Sequence, residues 1–260
     1  MNAGVAEFHS GDGVRIHFRD EGQGRPIVLV HGWMMSGRLF ERQFEGLAKE
    51  FRVIAPDLRG CGESAGRPGS YQVPRYAKDL AELVEHLALK DATIVGWSMG
   101  GGITIEYLLA HGVGRVRAVG LVDFPPKLEE DPSIADKICH NLNKRRDTFT
   151  RDFIARMFLE PAKDLDWVVA EALKCDAETA CDMYRAMRPA RGPEKYQFPN
   201  VRAFLAFPTR GWFPGALPVW RNVFPKHVAP TFEASKHCPF LEESAAFNAA
   251  LGDFVRGHGR

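Results

Sequence analysis

Ser98 stands in Gly96-Trp97-Ser98-Met99-Gly100-Gly101, a G-x-S-x-G spacing in which chemistry and backbone geometry require the same residues. A serine hydroxyl is a weak nucleophile until a neighbouring base takes its proton. A sharp strand-to-helix turn lifts such a hydroxyl into the open, and glycines let the flanking backbones approach closely enough to form it. The helix that follows aims its N-terminus at the site and favours negative charge there. Attack on a carbonyl creates an oxyanion, which needs preorganised donors. Met99, directly after the serine, is one expected donor through its backbone N–H, and Trp33 in His31-Gly32-Trp33 is the other.

Nine histidines compete for the role of base: His9, His17, His31, His86, His111, His140, His227, His237 and His258. The base must follow the last strand to reach a serine at the sheet's upper edge. His237, in Ser235-Lys236-His237-Cys238-Pro239, falls on a loop between the last strand candidate and the final helix. His227 begins that strand, at its far end. His31 is expected beneath the turn carrying Trp33, and His86 and His111 on helices near the surface. The third member should orient the imidazole and stabilise its positive charge. Asp123, in Leu121-Val122-Asp123-Phe124-Pro125, ends a strand beside that of Ser98. An aspartate there also suits a strand cap or a pair with Arg210.

The elements that must position these residues are apolar runs separated by amphipathic stretches. Ile27 to Val30, Phe51 to Pro56, Ala92 to Val95 and Val116 to Val122 suit parallel strands buried on both faces. Helices are expected over Phe40 to Lys49 and Tyr76 to Leu87. Strands alternating with helices predict a parallel, doubly wound sheet, with chemistry at the carboxyl ends of the strands. From Pro125 to Pro199 charge rises and strands give way to helical stretches at Ile134–Asn143, Thr150–Phe158, Asp166–Leu173 and Ala177–Met187. Strands resume at Val201–Phe207 and near His227–Ala234, and a last helix is expected from Ser244 to Val255. Residues 1–124 and 200–260 thus read as an α/β core and 125–199 as a helical cap.

The 260 residues suffice for one large domain with an insertion. A net charge of +1 gives no global field suited to nucleic acid or an anionic membrane. The N-terminus lacks a secretory pattern and no run approaches the roughly 20 apolar residues of a membrane helix. Five scattered cysteines without a CxxC pair suggest reduced thiols, a cytoplasmic setting and no structural metal.

His31-Gly32-Trp33, Asp57-Leu58-Arg59-Gly60-Cys61-Gly62-Glu63-Ser64, the Ser98 motif and the His237 segment together resemble the α/β-hydrolase superfamily. The likeness spans nearly the whole chain and is weakest in the cap. It comes nearest to small bacterial carboxylesterases of the pimeloyl-ACP methyl ester esterase kind. It implies an α/β-hydrolase fold, mostly parallel, with the cap inserted after the sixth strand. The Asp57–Ser64 turn would then be structural. The chain departs from the family where the acid usually follows the strand after the cap. No carboxylate occurs between Glu194 and Glu233, and Asp123 is the substitute.

What the resemblance implies is ester hydrolysis through an acyl-enzyme on Ser98, with no metal or organic cofactor. The substrate would be a small ester with an apolar acyl chain, against a pocket wall of Trp33, Met34, Met35, Trp97 and Phe124. Two alternatives share the motif: a cofactor-free perhydrolase of the haloperoxidase type, and a ligand-binding protein with weak catalysis. Epoxide hydrolases and haloalkane dehalogenases would need an aspartate at position 98. The basic stretch Lys144-Arg145-Arg146, with Arg151 and Arg156, suits either a carrier protein bearing the substrate or a solvated helix face.

Overall fold

Side chains that find no water on either face of a strand are favoured when apolar, and the middle of the sheet follows that rule except at the buried Thr93. In the computed structural model, which describes residues 4–127, 131–160, 165–187, 197–213 and 215–257, β3 (Pro26–Val30) and β5 (Ala92–Trp97) are buried along their whole length. They are flanked by β4 (Arg52–Pro56) and β6 (Val116–Val122). Beyond these lie β7 (Arg202–Ala206) and β8 (His227–Val228) on one side, and β1 (Gly4–His9) and β2 (Arg15–Glu21) on the other. The eight strands run in the order β1-β2-β4-β3-β5-β6-β7-β8. Pairings from β4 to β8 are parallel, while β1–β2 and β2–β4 are antiparallel.

β1 and β2 were not expected from the sequence. Only Phe8 of β1 is buried, and β2 buries Ile16 and Phe18 on one face between charged neighbours. An edge hairpin of this kind carries too few apolar residues to stand out. The strand expected near His227–Ala234 shortens to two residues, because the chain leaves the sheet at Ala229 to carry the segment before His237 across its edge.

Among the described residues, five helices cover the sheet. They are α1 (Glu41–Leu47), α2 (Val73–His86), α3 (Met99–His111), α8 (Ala216–Val223) and α10 (Ser244–Arg256), with a short α9 (Pro239–Glu242) before the last. α3 is apolar on most sides because it lies between the sheet and α2. Between β6 and β7 come α4 (Pro132–Lys144), α5 (Arg146–Ala155), α6 (Asp166–Lys174) and α7 (Ala177–Ala186), an excursion above the strand ends whose regular elements are all helical among the described residues. Residues 128–130, 161–164 and 188–196 of the expected cap lie outside the described residues. Glu171 on α6 fastens the excursion to the core by accepting from Ser36 Oγ at 2.8 Å and pairing with Arg38 at 2.9 Å. Among the described residues no helix is long and apolar enough to cross a membrane.

Candidate active site

Ser98 sits between β5 and α3 with φ +52° and ψ −121°, a left-handed conformation that is strained for a residue with a side chain. The flanking glycines make that turn possible. A Cβ at Gly96 would collide with the Gly100 carbonyl, and one at Gly100 with the Val30 carbonyl. Met99 is the first residue of α3, where a backbone N–H has no partner within the helix.

The turn after β3 lies against the same point. A Cβ at Gly32 would stand 3.3 Å from Ser98 Cβ and 3.1 Å from the Trp97 ring. His31 shapes this turn from below. Its Nε2 accepts from Leu58 N–H at 2.9 Å, so the proton is assigned to Nδ1, which donates to the Gly32 carbonyl at 2.8 Å. Complete burial holds the His31 pKa below its usual value and favours this neutral form. The Gly32 carbonyl also accepts from Met35 N–H at 3.2 Å. With that carbonyl turned toward His31 and Met35, the trans peptide directs the Trp33 N–H the opposite way. The Trp33 indole donates to the Ala180 carbonyl of α7 at 2.8 Å.

Asp123 and His237, distant in sequence, meet across the end of the sheet. His237 Nδ1 lies 2.7 Å from Asp123 Oδ2, and both side chains are almost wholly buried. Asp123 has φ +39°, a second strained non-glycine residue at the end of a strand. Its backbone N–H donates to the Ala206 carbonyl at 3.0 Å, and Ser98 N–H to Val122 at 3.0 Å, so Ser98 and Asp123 leave adjacent strands in register. Trp97 links the two halves by donating its indole N–H to the His237 carbonyl at 2.8 Å. Among the described residues no hydrogen bond joins Ser98 Oγ to His237. Catalytic contacts often tighten only when substrate is bound.

One participant escaped the sequence reading. The stretch after β7 lacks an acid, but it supplies Trp212. Its backbone N–H donates to Asp123 Oδ2 at 2.9 Å, and its indole lies parallel to the His237 ring, 7° from coplanar with centroids 4.0 Å apart. Gly211 admits this approach, because a Cβ there would stand 2.6 Å from Asp123 Oδ1. An aromatic after the strand was visible in the sequence, but nothing local marked its partner.

The His237 loop is anchored by Glu242. Its carboxylate accepts from Lys236 N–H at 2.8 Å and from Leu159 N–H at 2.6 Å, tying loop and helical excursion together. Burial raises the Glu242 carboxyl above its ordinary pKa, against these backbone bonds.

Above Ser98 opens a cavity of about 490 Å³. Ser98, Met99, Trp33, Phe124 and Trp212 line its floor and walls, while Phe153 and Tyr184 close it from the helical excursion. Of the residues expected to form a pocket wall, Trp33 and Phe124 line this cavity. Met34, Met35 and Trp97 do not line it. They turn inward and are 0, 0 and 1% exposed, because the positive φ of Met34 tucks the residues after Trp33 into the core and β5 faces neighbouring layers.

The basic stretch divides in the same way. Arg146 turns inward to the carbonyls of Ala172 and Cys175 and to Met34 Sδ. Arg151 pairs with Asp166 at 2.7 Å. All five cysteines are buried free thiols.

A family model described as alpha/beta hydrolase fold matches residues 25–158. The non-heme chloroperoxidase CPO-A1 of Kitasatospora aureofaciens is 33% identical over 189 residues, covering 65% of this chain and 69% of that protein. Among solved structures, the esterase EaEST from Exiguobacterium antarcticum superposes with a TM-score of 0.87 at 24% identity, covering 96% of this chain and 99% of that one. A bromoperoxidase from Bacillus anthracis gives 0.88 at 23% identity, covering 97% and 100%.

Proposed function

Since the chain belongs to the alpha/beta hydrolase fold family, we propose that it is a serine hydrolase that cleaves carboxylic esters with apolar acyl chains through an acyl-enzyme. The observation that carries this reading is the buried 2.7 Å Asp123–His237 pair, set beside a strained Ser98 on the floor of an apolar cavity. His237 takes the proton of Ser98 as Oγ attacks the ester carbonyl. The Met99 and Trp33 N–H groups receive the oxyanion. Collapse of the tetrahedral intermediate expels the alcohol, which leaves with the proton held by His237. Water then attacks the acyl-enzyme, its proton going to the same histidine, and that proton passes to Ser98 Oγ as the bond to the acyl group breaks and the acid is released. Asp123 and the Trp212 indole face support the imidazolium throughout. The aromatic walls favour an acyl chain over a sugar. A fluorophosphonate should label Ser98 and abolish hydrolysis of p-nitrophenyl esters. An unlabelled serine in folded protein sinks the reading.

The similarity to a chloroperoxidase supports a second reading. Hydrogen peroxide in place of water would release a peracid from the same acyl-enzyme, and the peracid would oxidise bromide. Bromination that needs peroxide and acetate, and disappears in Ser98→Ala, distinguishes this reaction from hydrolysis alone.

A further inference from the structure

We infer that the helical excursion carries a second substrate subsite, for a carboxylate or phosphate at the end of the ester remote from the scissile bond. The inference rests on the ester-hydrolase reading and assigns that reaction a substrate class. A second cavity, of about 940 Å³, shares Ile138, Phe153 and Trp212 with the cavity above Ser98. The two spaces therefore meet at one apolar wall. Beyond that wall the lining changes character, with Arg145, Arg156 and Lys236 around it and Asp152 as the one carboxylate among the described residues.

None of the three cations is held in an ion pair among the described residues. Arg145 Nε donates to the Asn141 side chain at 2.9 Å, and Arg156 Nε to the Asp152 main-chain carbonyl at 3.2 Å. Their remaining guanidinium N–H groups are available to a ligand. Helix termini do not account for Arg145. It ends α4, where a cation is favoured, but it also opens α5, where one is opposed. Of the neighbouring cations, Arg146 bonds the carbonyls of Ala172 and Cys175, Arg151 is held in an exposed pair with Asp166, and exposed Lys144 lies outside the lining, so Arg145 and Arg156 are the arginines of this stretch that face the cavity. An ester lying with its acyl chain in the inner cavity would extend past Trp212 and bring a terminal anion among these cations. Exposed pairs are individually weak, but three of one sign discriminate between an anionic and a neutral tail.

Ketones of equal chain length, ending in carboxylate, phosphate or methyl, carry no scissile bond and test binding apart from hydrolysis. Calorimetric titration at low salt should give the anionic ketones a Kd roughly tenfold lower than the methyl one. The gap should narrow as ionic strength rises. It should largely vanish in the double variant R145Q/R156Q. The tighter of the two anionic ketones identifies the natural group as carboxylate or phosphate. Equal Kd values for all three in the wild type, or a preference that persists undiminished in the double variant, would overturn the inference. Fluorophosphonate labelling of Ser98 tests the parent reading separately.

Discussion

Asp57 and Asp123 occupy matching places, each directly after a parallel strand of one sheet and each bonded to an imidazole. His17 Nδ1 lies 2.9 Å from Asp57 Oδ2, against 2.7 Å for His237 and Asp123. The short carboxylate–imidazole contact is thus common to both and distinguishes neither. What differs is how fully each carboxylate is satisfied. Asp57 also receives the N–H groups of Gly37 at 2.7 Å and Glu63 at 2.9 Å, so both of its oxygens are engaged. It stitches β2, the turn after β3 and its own loop into one unit. Asp123 gathers two donors on Oδ2, while Oδ1 is buried without a hydrogen bond among the described residues. Its backbone is strained, its histidine is stacked under Trp212, and a cavity with Ser98 lies alongside. A saturated, relaxed carboxylate stabilises a fold. An incompletely satisfied one on strained backbone at a cavity marks where chemistry is expected.

Exchanging one atom at each aspartate separates the two roles. Asp123→Asn should lower kcat for ester hydrolysis by about 10³–10⁴-fold by mis-setting the His237 tautomer, with the unfolding midpoint nearly retained. A loss below about tenfold contradicts that role. Asp57→Asn should do the reverse and cost about 2–3 kcal/mol in urea unfolding, because one amide N–H₂ then faces backbone donors. Its kcat per folded molecule should stay within about threefold.

The stacked indole gives a smaller contrast, since only the Asp123 pair has one. Trp212→Ala should reduce kcat roughly tenfold, the scale of a partly desolvated cation–π contact, and Trp212→Phe should restore most of it. Equal losses in both variants would show that packing, rather than the aromatic face, matters there.

The least effect is a pH dependence of stability at the Asp57 pair. Its hydrogen bond to Asp57 raises the His17 pKa above the usual value, against partial burial. Burial alone would raise Asp57, but the bonds from His17, Glu63 and Gly37 outweigh it and leave that pKa lowered. The His17 contribution is therefore complete below its unfolded value of about 6.5 and is lost as pH rises through the higher folded value. The Asp57 contribution is present above its unfolded value and is lost as pH falls through the depressed folded one. His17→Gln should flatten the stability profile on the alkaline side by on the order of 1 kcal/mol. Unfolding free energies measured from pH 6 to 9 check this.

Local patterns account for much of what the sequence made legible. The elbow at Ser98 needed only a strand, two glycines and a helix in succession. Asp123 and His237 could be named because residues at the carboxyl ends of strands share one edge of the sheet. The β1–β2 hairpin was illegible for want of apolar residues. Met34, Met35 and Trp97 were misplaced because hydrophobic type says that a side chain is buried, not whether it faces a cavity or the core. Trp212 was missed because its role depends on contacts with residues far away in the chain.

By itself the sequence determined the sheet's middle strands, the glycine-shaped turn at Ser98 and the absence of an acid after β7. These are consequences of nearest neighbours, steric room and the 2.0 and 3.6 periods of strand and helix. Only the tertiary structure decided that Asp123 meets His237, that Trp212 covers both, and that the uncommitted arginines gather at a second cavity. Such contacts join residues 89 and 114 positions apart. Their geometry is set by how strands and helices pack, which no local stretch of chain encodes.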